Sequence, residues 1–286
     1  MSENIVFFDG DFSLNLRPFT YTRPISELRI GISLIREKWE LELQQKASWI
    51  AEDHLCKKYQ AQWSKSATFL YGGLLPNENL VRQVQRLKQG DSLWLNETLV
   101  AFKGNQDLWE KYQKTGAEVF SSKILLDFEC DLITNSYHIY VYNGKYIKYD
   151  LSKIVLEGGA WPLSDTVKVI GDLYTPDGSP NIFLEEGAKA EHCIINVSNG
   201  PVYIGKDAEI MEGSMVRGPL ALCEHAKINM GAKIYGDTSI GPHCKVGGEI
   251  HNSVLLAYSN KGHDGFLGHA VIGEWCNICL LYTSPS

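Results

Sequence analysis

The stretch IGKDAEIMEGSMVRGPLALCEHAKINMGAKIYGDTSIGPHCKVGGEI, residues 204–250, repeats every six residues. One register is aliphatic at every step, and a second register four positions later holds mostly small or compact side chains. Helical side chains recur about every 3.6 residues and strand side chains every two, so this period fits three short strands per coil of a parallel β-helix. A series of hairpins would show turn signals roughly every 8 to 12 residues and a period of two. The aliphatic positions are Ile204, Ile210, Val216, Leu222, Ile228, Ile234, Ile240 and Val246, and the compact positions are Ala208, Ser214, Leu220, Ala226, Ala232, Thr238, Cys244 and Ile250.

Flanking sequence extends this β-helix in both directions. Gly, Pro and Asp punctuate the chain from Ser164 onward, which predicts a first coil near residues 165–180. After Ile250 the phase slips by two, and the polar, glycine-bearing residues 259–265 are predicted to bulge from the wall. Such bulges on solenoids commonly carry function. The aliphatic row is predicted to resume at Val254, Phe266, Ile272 and Ile278.

The first half of the chain has the pattern of a mixed α/β domain. Apolar, strand-like residues 5–8 and 68–71 alternate with helical patterns over residues 26–45 and 77–88. This alternation predicts a layered α/β domain. We therefore divide the chain into an α/β domain at 1–160 and a β-helix at 165–278. The last residues, 279–286, break the pattern and are interpreted as a foreign tail that replaces further coils.

Composition excludes several classes of partner. The formal charge is −7 and no basic run is present, which argues against a nucleic-acid partner. The N-terminus has the features neither of a signal peptide nor of a membrane span, so we expect a cytoplasmic protein without a membrane partner. Seven scattered cysteines look like reduced, small hydrophobic residues, and the Cys276–Cys279 pair stands alone.

A motif near the N-terminus introduces a family resemblance. Arg17-Pro-Phe-Thr-Tyr-Thr-Arg23-Pro24 follows a predicted strand and resembles the R-x-x-P-L-T…P-K segment of sugar nucleotidyltransferases. Together with the β-helix, it resembles the N-acetylglucosamine-1-phosphate uridyltransferase/acetyltransferase family, GlmU. The phrases ELRIG (27–31), IREKW (35–39), MEGS (211–214) and NKGHDGFLG (260–268) are similar to the GlmU-like proteins of Bacteroidetes. The resemblance spans residues 1 to about 278. It implies a shortened nucleotidyltransferase domain and a trimeric left-handed β-helix with acyltransferase-type features.

The resemblance implies transfer of a nucleotidyl group from a nucleoside triphosphate to a sugar 1-phosphate. That chemistry needs a backbone cradle, cations against the triphosphate charge and Mg²⁺ held by carboxylates. Arg17 stands where the family's arginine contacts the triphosphate. Arg23 and Lys38 are nearby candidates for the same electrostatic task.

The chain departs from the family pattern at several of these positions. Asp9-Gly-Asp11-Phe12 replaces the G-x-G-x-R text, and Ile25 stands in place of the P-K lysine. In the segment that the family reads as L-x-G-D-x-P, Gly73 replaces the metal-binding aspartate. Asp9 and Asp11 are the alternative candidates for metal ligands.

The predicted bulge matches the family position of an acyltransferase base. His263 falls where these enzymes carry a histidine that takes a proton from the attacking sugar amine, a role that suits the near-neutral pKa of imidazole. Asp264 is a candidate to orient His263, and Lys261 is a candidate to hold a sugar phosphate. Alternatively, His263 is a loop histidine satisfied by backbone groups and Lys261 a solvated lysine. Residues for acetyl-CoA, the co-substrate in the full-length parent, would lie on coils after residue 278.

Two other functions stay open. One is a non-catalytic trimeric scaffold or a sugar-nucleotide-binding protein, in which the first domain has lost its Mg²⁺ ligand. The other is a zinc hydratase of the trimeric β-helix type, because His263 and His269 are six residues apart. Zinc needs three protein ligands, and the third would be His243 or His251 from a neighbouring chain.

Overall fold

The computed structural model describes residues 4–155 and 160–279, apart from the side chain of Asp11. Most of the predicted tail, residues 280–286, lies outside the described residues. The chain forms two compact units, one of residues 1–28 and 34–136, the other of residues 29–33 and 137–286. The predicted fold class is confirmed: a mixed α/β sheet domain is followed by parallel strands stacked in three sheets, consistent with a left-handed β-helix.

The first unit is built on a six-stranded sheet of order β4-β1-β5-β7-β6-β8, whose strands are defined at the end of this paragraph. β1 pairs in parallel with both β4 and β5, and β7 is antiparallel to β5 and β6. β1 is apolar at all four positions and fully buried, as expected for a strand covered on both faces. In chain order the strands are β1 (Ile5–Phe8), β2 (Arg29–Ile30), β3 (Ser33–Leu34), β4 (Ala47–Ile50), β5 (Ala67–Tyr71), β6 (Asp91–Leu95), β7 (Thr98–Gly104) and β8 (Ser122–Leu125).

The described residues also form four α-helices and four 3-10 helices, of which α4 belongs to the second unit from residue 137 onward. The predicted helix over 77–88 corresponds to α2, which begins where the Asn77 side chain accepts a hydrogen bond from the Leu80 amide. The helix predicted over 26–45 is wrong in its first half, because Gly31 adopts a φ of +76° that no α-helix contains. The α-helices are α1 (Ile35–Leu43), α2 (Glu78–Arg86), α3 (Gln106–Thr115) and α4 (Ser136–Ile154), and the 3-10 helices are Gly10–Leu16, Phe19–Tyr21, Ile25–Glu27 and Gly116–Val119.

The second unit is the β-helix, whose first strand, β9, begins at Lys168 within the predicted interval. Its sheets have the orders β10-β13-β16-β19-β22-β25, β11-β14-β17-β20-β23 and β24-β21-β18-β15-β12-β9. Inward-facing aliphatic side chains of successive coils pair directly, as Ile210 does with Ile228, and form one continuous core. The strands are β9 (Lys168–Ile170), β10 (Ile182–Leu184), β11 (Lys189–Ala190), β12 (Ile194–Asn196), β13 (Val202–Ile204), β14 (Glu209–Ile210), β15 (Met215–Arg217), β16 (Leu220–Leu222), β17 (Lys227–Ile228), β18 (Lys233–Ile234), β19 (Thr238–Ile240), β20 (Lys245–Val246), β21 (Glu249–His251), β22 (Val254–Ala257), β23 (Asn260–Lys261), β24 (Phe266–Gly268) and β25 (Val271–Glu274).

The predicted phase after Val246 is wrong at Ile250, Val254 and Phe266, whereas Ile272 pairs with Leu255 in the aliphatic row as predicted. The coil shortens at Gly247 and Gly248, so Ile250 pairs with Ile234 in the large aliphatic row and not in the compact row. The row then continues through Leu255, Lys261 and Leu267, which pair with Ile240, Val246 and Ile250. Phe266, predicted to point inward, is 64% exposed. A constant six-residue period does not indicate that the corner at Gly247 and Gly248 is shorter than the others.

Residues 29–33 and helix α4 pack against the β-helix within the second unit. The Asp150 carboxylate accepts hydrogen bonds from the backbone amides of Ile32 and Ser33, at 2.8 and 3.0 Å. Asn143 accepts from the Gly31 amide at 2.7 Å and donates to the Asp237 carbonyl at 2.8 Å. These buried side chains replace the ladder partners that such a short segment lacks. Of the helices in the described part of the chain, none combines the length and the apolar character that a membrane span requires.

Candidate functional site

Three parallel strands of the first unit end at the same edge of the sheet. Asp9 follows β1, Glu52 lies shortly after β4, and Gly72 follows β5. The chain passes from β1 to β4 on one side and from β5 to β7 and β6 on the other, so the strand order reverses between β1 and β5. Open α/β sheets bind their ligands outside the carboxyl ends of strands at such a reversal. We call the end defined by Asp9, Glu52 and Gly72 the carboxyl edge.

Asp9 is the central side chain of the carboxyl edge. Its Oδ2 accepts a hydrogen bond from the Ile25 amide at 3.0 Å. Its Oδ1 is buried and has no hydrogen-bond partner among the described residues. It lies against Gly72, where a Cβ atom would overlap it. Burial raises the pKa of Asp9 to about 7, the Ile25 amide opposes that rise, and the negative charge of Glu52 adds to it.

The raised pKa of Asp9 predicts a pH-dependent loss of stability. The ordinary value is 3.8, so between pH 4 and 7 the folded state keeps a proton that the unfolded state has lost. Stability therefore falls as the pH rises through this window, and the cost is fully present above pH 7. We expect Asp9→Asn to be more stable than the wild type by about 4 kcal/mol at pH 8 and nearly equal to it at pH 4. Urea denaturation at both pH values measures this, and a pH-independent difference would contradict it.

Arg17 lies at the same edge as Asp9. Its Nη2 is 3.7 Å from Glu52 Oε2, and its guanidinium carbon lies 4.9 Å from the centroid of the Tyr21 ring. Ser13 Oγ donates to the other Glu52 oxygen at 3.1 Å. The Arg17 side chain is 39% exposed, so this ion pair is weak and can exchange for a ligand anion. The structure thus brings together Arg17 and Asp9, which the sequence singled out, and adds Glu52, which it missed because β4 was not predicted.

The other candidates for the triphosphate site are placed differently. Lys38 lies in α1 and is only 2% exposed, so a ligand in solution does not reach it in this conformation. Arg23 is half-buried, and its Nε and Nη2 each lie 3.4 Å from Thr22 Oγ1. Asp11 belongs to the 3-10 helix Gly10–Leu16, and its side chain lies outside the described part of the structure.

Packing around Gly73 explains why no aspartate stands there. A Cβ atom at this position would overlap the Ile133 carbonyl oxygen and would lie 2.8 Å from a carbon of the Tyr71 ring. The Ile133 amide donates to the Gly73 carbonyl at 2.8 Å, and the Tyr71 hydroxyl donates to the Ile133 carbonyl at 2.7 Å. The space for a carboxylate after β5 is therefore filled, and the carboxylate at this edge comes from β1 instead.

The residues predicted for acyl transfer lie in the second unit. His263 and Asp264 are exposed, and among the described residues no hydrogen bond joins Asp264 to the His263 ring. Lys261 is buried at 5% exposure, and its Nζ donates to the carbonyls of Gly247, His263 and Gly265. This placement differs from the expected solvent-facing phosphate ligand, because all three ammonium donors are used within the protein.

Histidine rings form two clusters in the β-helix. The rings of His251 and His269 are 5.0 Å apart, and His243 stacks between His225 and Tyr258 at 4.8 and 4.9 Å. None of the ring contacts in the described residues includes His263. Within residues 4–155 and 160–279, no three His, Cys, Asp or Glu side chains form a group that could hold a metal ion.

Comparison with known proteins bears on the first unit and on α4. Residues 5–157, which are more than half of the chain, match the sequence model of a family described as sugar nucleotidyl transferase. The matched range contains every residue of the carboxyl edge. A comparison with curated proteins found no match.

Proposed function

This chain belongs to the sugar nucleotidyl transferase family, and on that premise we propose that it transfers a nucleotidyl group from a nucleoside triphosphate to a sugar 1-phosphate. The observation that carries the proposal is the match over residues 5–157, which includes Asp9, Arg17 and Glu52. The location of these side chains, at the reversal of strand order, supports the carboxyl edge as the site.

The reaction asks for positioning and charge neutralisation. An oxygen of the sugar 1-phosphate attacks the α-phosphorus, a P–O bond forms there, and the bond to the β-phosphate breaks with its electron pair leaving on pyrophosphate. The attacking phosphate is already an anion at neutral pH, so it needs no general base. The protein must hold the two reactants in line and offset their charge. Arg17 supplies a cation at the carboxyl edge once a phosphate displaces Glu52 from it.

Mg²⁺ fits this edge through Asp9. Mg²⁺ in nucleotide sites is bound by one or two carboxylates together with substrate phosphates. The unpartnered Asp9 Oδ1 is an oxygen of this kind, and Gly73 contributes none. When bound, the metal neutralises charge that develops on the phosphate oxygens. Asp9 would hold it, and the glycine at position 72 leaves room for that carboxylate.

The experiment that tests the proposal follows pyrophosphate release. The protein is incubated with Mg²⁺, a panel of nucleoside triphosphates and a panel of sugar 1-phosphates. Release that requires both substrates supports transfer. Silence across the panel, together with no nucleotide binding by calorimetry, would reject it.

Replacing Arg17 tests the cation at the carboxyl edge. We expect Arg17→Ala to lower kcat/KM for nucleotidyl transfer by about tenfold to a thousandfold, because one charged donor to the triphosphate is lost. The fold should hold, since the Arg17–Glu52 pair is half-exposed. Arg82→Ala is the matched control, because Arg82 is a surface arginine on α2 whose one ion pair within the described part of the chain is with Glu78. Equal activity of the two variants would remove Arg17 from the site.

A second candidate function is a protein that binds sugar nucleotides without catalysis, or a scaffold. Packing around Gly73 favours it, because the aspartate that the resembled enzymes use after β5 has no space. Nucleotide binding without pyrophosphate release would support the binding protein. Neither binding nor release would support the scaffold.

For the β-helix we propose acyl transfer from acetyl-CoA to an amino sugar in the full-length parent, in the manner of the GlmU-like proteins of Bacteroidetes. The support is the sequence resemblance of residues 260–268 and the exposed His263 in that segment. In this proposal His263 is the base, while Asp264 is a candidate to orient the substrate or the base.

We also propose a homotrimer, because one face of the β-helix exposes apolar side chains. Along β9, β12, β15, β18 and β24, outward-facing residues are 39 to 64% exposed. Exposed apolar side chains on one face favour an interface, in which Lys233 and Glu249, from the same row as Met215 and Phe266, would also take part. Light scattering is expected to give three chains per particle, and Met215→Asp on this face should yield monomers; a monomeric wild type would contradict the trimer. The residues concerned are Ile170, Ile194, Met215, Tyr235 and Phe266.

A further inference from the structure

Lys261 occupies a position in the core of the β-helix that the other coils give to aliphatic residues. It pairs with Val246 in the row that also contains Ile210 and Ile228. Its side chain is 5% exposed. A buried ammonium is costly unless hydrogen bonds replace its hydration, so a lysine in this row calls for a specific set of acceptors.

Those acceptors are three backbone carbonyls around the bulge. Nζ of Lys261 donates to Gly247 at 3.0 Å, to His263 at 2.6 Å and to Gly265 at 2.9 Å. An ammonium has three donors, so each is used once. Burial lowers the pKa of Lys261, and the nearby charge of Asp264 opposes that effect. The lysine is therefore fully engaged within the protein.

The same three bonds connect the core to residues 262–265, which we call the His263 loop. Both ends of the loop have other support, since Asn229 Nδ2 donates to Gly262 at 3.3 Å and the Glu249 amide donates to Gly265 at 3.1 Å. At the middle of the loop, the His263 carbonyl is bonded by Lys261 alone among the described residues. The His263 side chain is exposed, and among the described residues its ring makes neither a hydrogen bond nor a ring contact.

We infer that Lys261 is a positioning residue: its buried ammonium gathers the carbonyls of Gly247, His263 and Gly265 and so fixes the backbone that presents His263. Sugar-phosphate binding by Lys261 is thereby replaced by an internal role. The purpose of a fixed His263 rests on the proposed acyl transfer, but the dependence of the loop on Lys261 does not.

Lys261→Met should reduce the order of the His263 loop without reducing the stability of the coil. Methionine suits an aliphatic row and removes the cost of the buried charge, so the melting temperature should stay equal or rise. The His263 carbonyl then loses its donor, whereas the Gly265 carbonyl keeps the Glu249 amide. The NMR order parameters of the His263 and Asp264 amides should therefore fall from about 0.85 to below about 0.6. Lys245→Met is the matched control, because it removes the same charge from an exposed lysine on the adjacent strand and should change neither quantity.

Rigid loop amides in a folded Lys261→Met variant would overturn the inference. If that variant does not fold, an NMR measurement on the unmodified protein tests the inference instead. A Lys261 ammonium signal protected from exchange, with couplings to the three carbonyl carbons, supports the inference, and its absence overturns it.

Kinetics distinguish this inference from the proposed function. Where acetyl transfer is measurable, Lys261→Met should lower kcat and leave KM for the amino-sugar phosphate unchanged. A raised KM with an unchanged kcat would assign Lys261 to the substrate and overturn the positioning role. Absence of acetyl transfer in the unmodified full-length parent would reject the proposed role of His263, while the measurement of loop order would still stand.

Discussion

His263→Ala is expected to lower acetyl-transfer turnover by roughly 2 to 4 orders of magnitude in a chain that carries the coenzyme-binding coils, because a general base commonly contributes that much. The melting temperature should stay within about a degree, since the exposed ring supports no packing. Stopped assays with acetyl-CoA and an amino-sugar phosphate measure the first quantity, and a thermal melt measures the second.

His192→Ala is the control for this substitution. His192 is also an exposed histidine of the second unit, so its removal repeats the loss of a surface imidazole at a position away from the His263 loop. Full acetyl transfer by His263→Ala would show that the residue is not the base. Loss of the folded state in His263→Ala would show a structural role instead.

Gly31→Ala is expected to destabilise the second unit by more than about 4 kcal/mol. The φ of Gly31 is +76°, and a Cβ atom there would lie 2.6 Å from the Tyr146 carbonyl group and 2.7 Å from Asp150 Oδ2. The backbone of α4 cannot yield by itself, so the segment 29–33 would have to leave its place. It would then lose the bonds from the Gly31 amide to Asn143 and from Ser239 Oγ to the Gly31 carbonyl. Urea denaturation measures the change.

Gly231→Ala measures the cost of the left-handed φ without the cost of the close approach to α4. Gly231 has a similar φ of +70°, but no atom lies within 4 Å of its virtual Cβ. It should therefore lose only about 1 to 2 kcal/mol, the cost of a left-handed conformation for an L-residue. Equal losses in the two variants would show that the close approach of Gly31 to α4 contributes nothing.

Features with a local cause could be predicted well. The strands at 5–8 and 68–71 and the helix near 77–88 depend on runs and periodicities within a few residues of sequence. The β-helix depends on a six-residue spacing that the geometry of its three-sided coil imposes. Where the local spacing changes, the prediction failed: the row shortens at Gly247 and Gly248 and again between Ile250 and Leu255, so a constant six-residue count misplaces the positions that follow.

The candidate site was predicted only in part. A motif indicated Arg17, and a departure from a family motif indicated Asp9. A glycine-rich bulge indicated His263. Glu52 carries no motif, and it joins the site because β4 lies beside β1. Lys38 was predicted as a nearby cation for the triphosphate, yet its side chain is buried in the first unit.

The sequence by itself determined the period of the coils, the α/β character of the first half and the family to which that half belongs. Each of these depends on residue patterns within short stretches of sequence. Only the tertiary structure decided that the Asp9 carboxyl lies against Gly72, that Ile133 fills the space beside Gly73, and that Lys261 points into the core. The burial of Asp9 depends on groups distant in sequence, Ile25 and Gly72, and the ammonium of Lys261 is held because the fold brings Gly247 beside His263 and Gly265. The energies of these two groups depend on which backbone atoms lie within about 3 Å, and no local pattern records those distances.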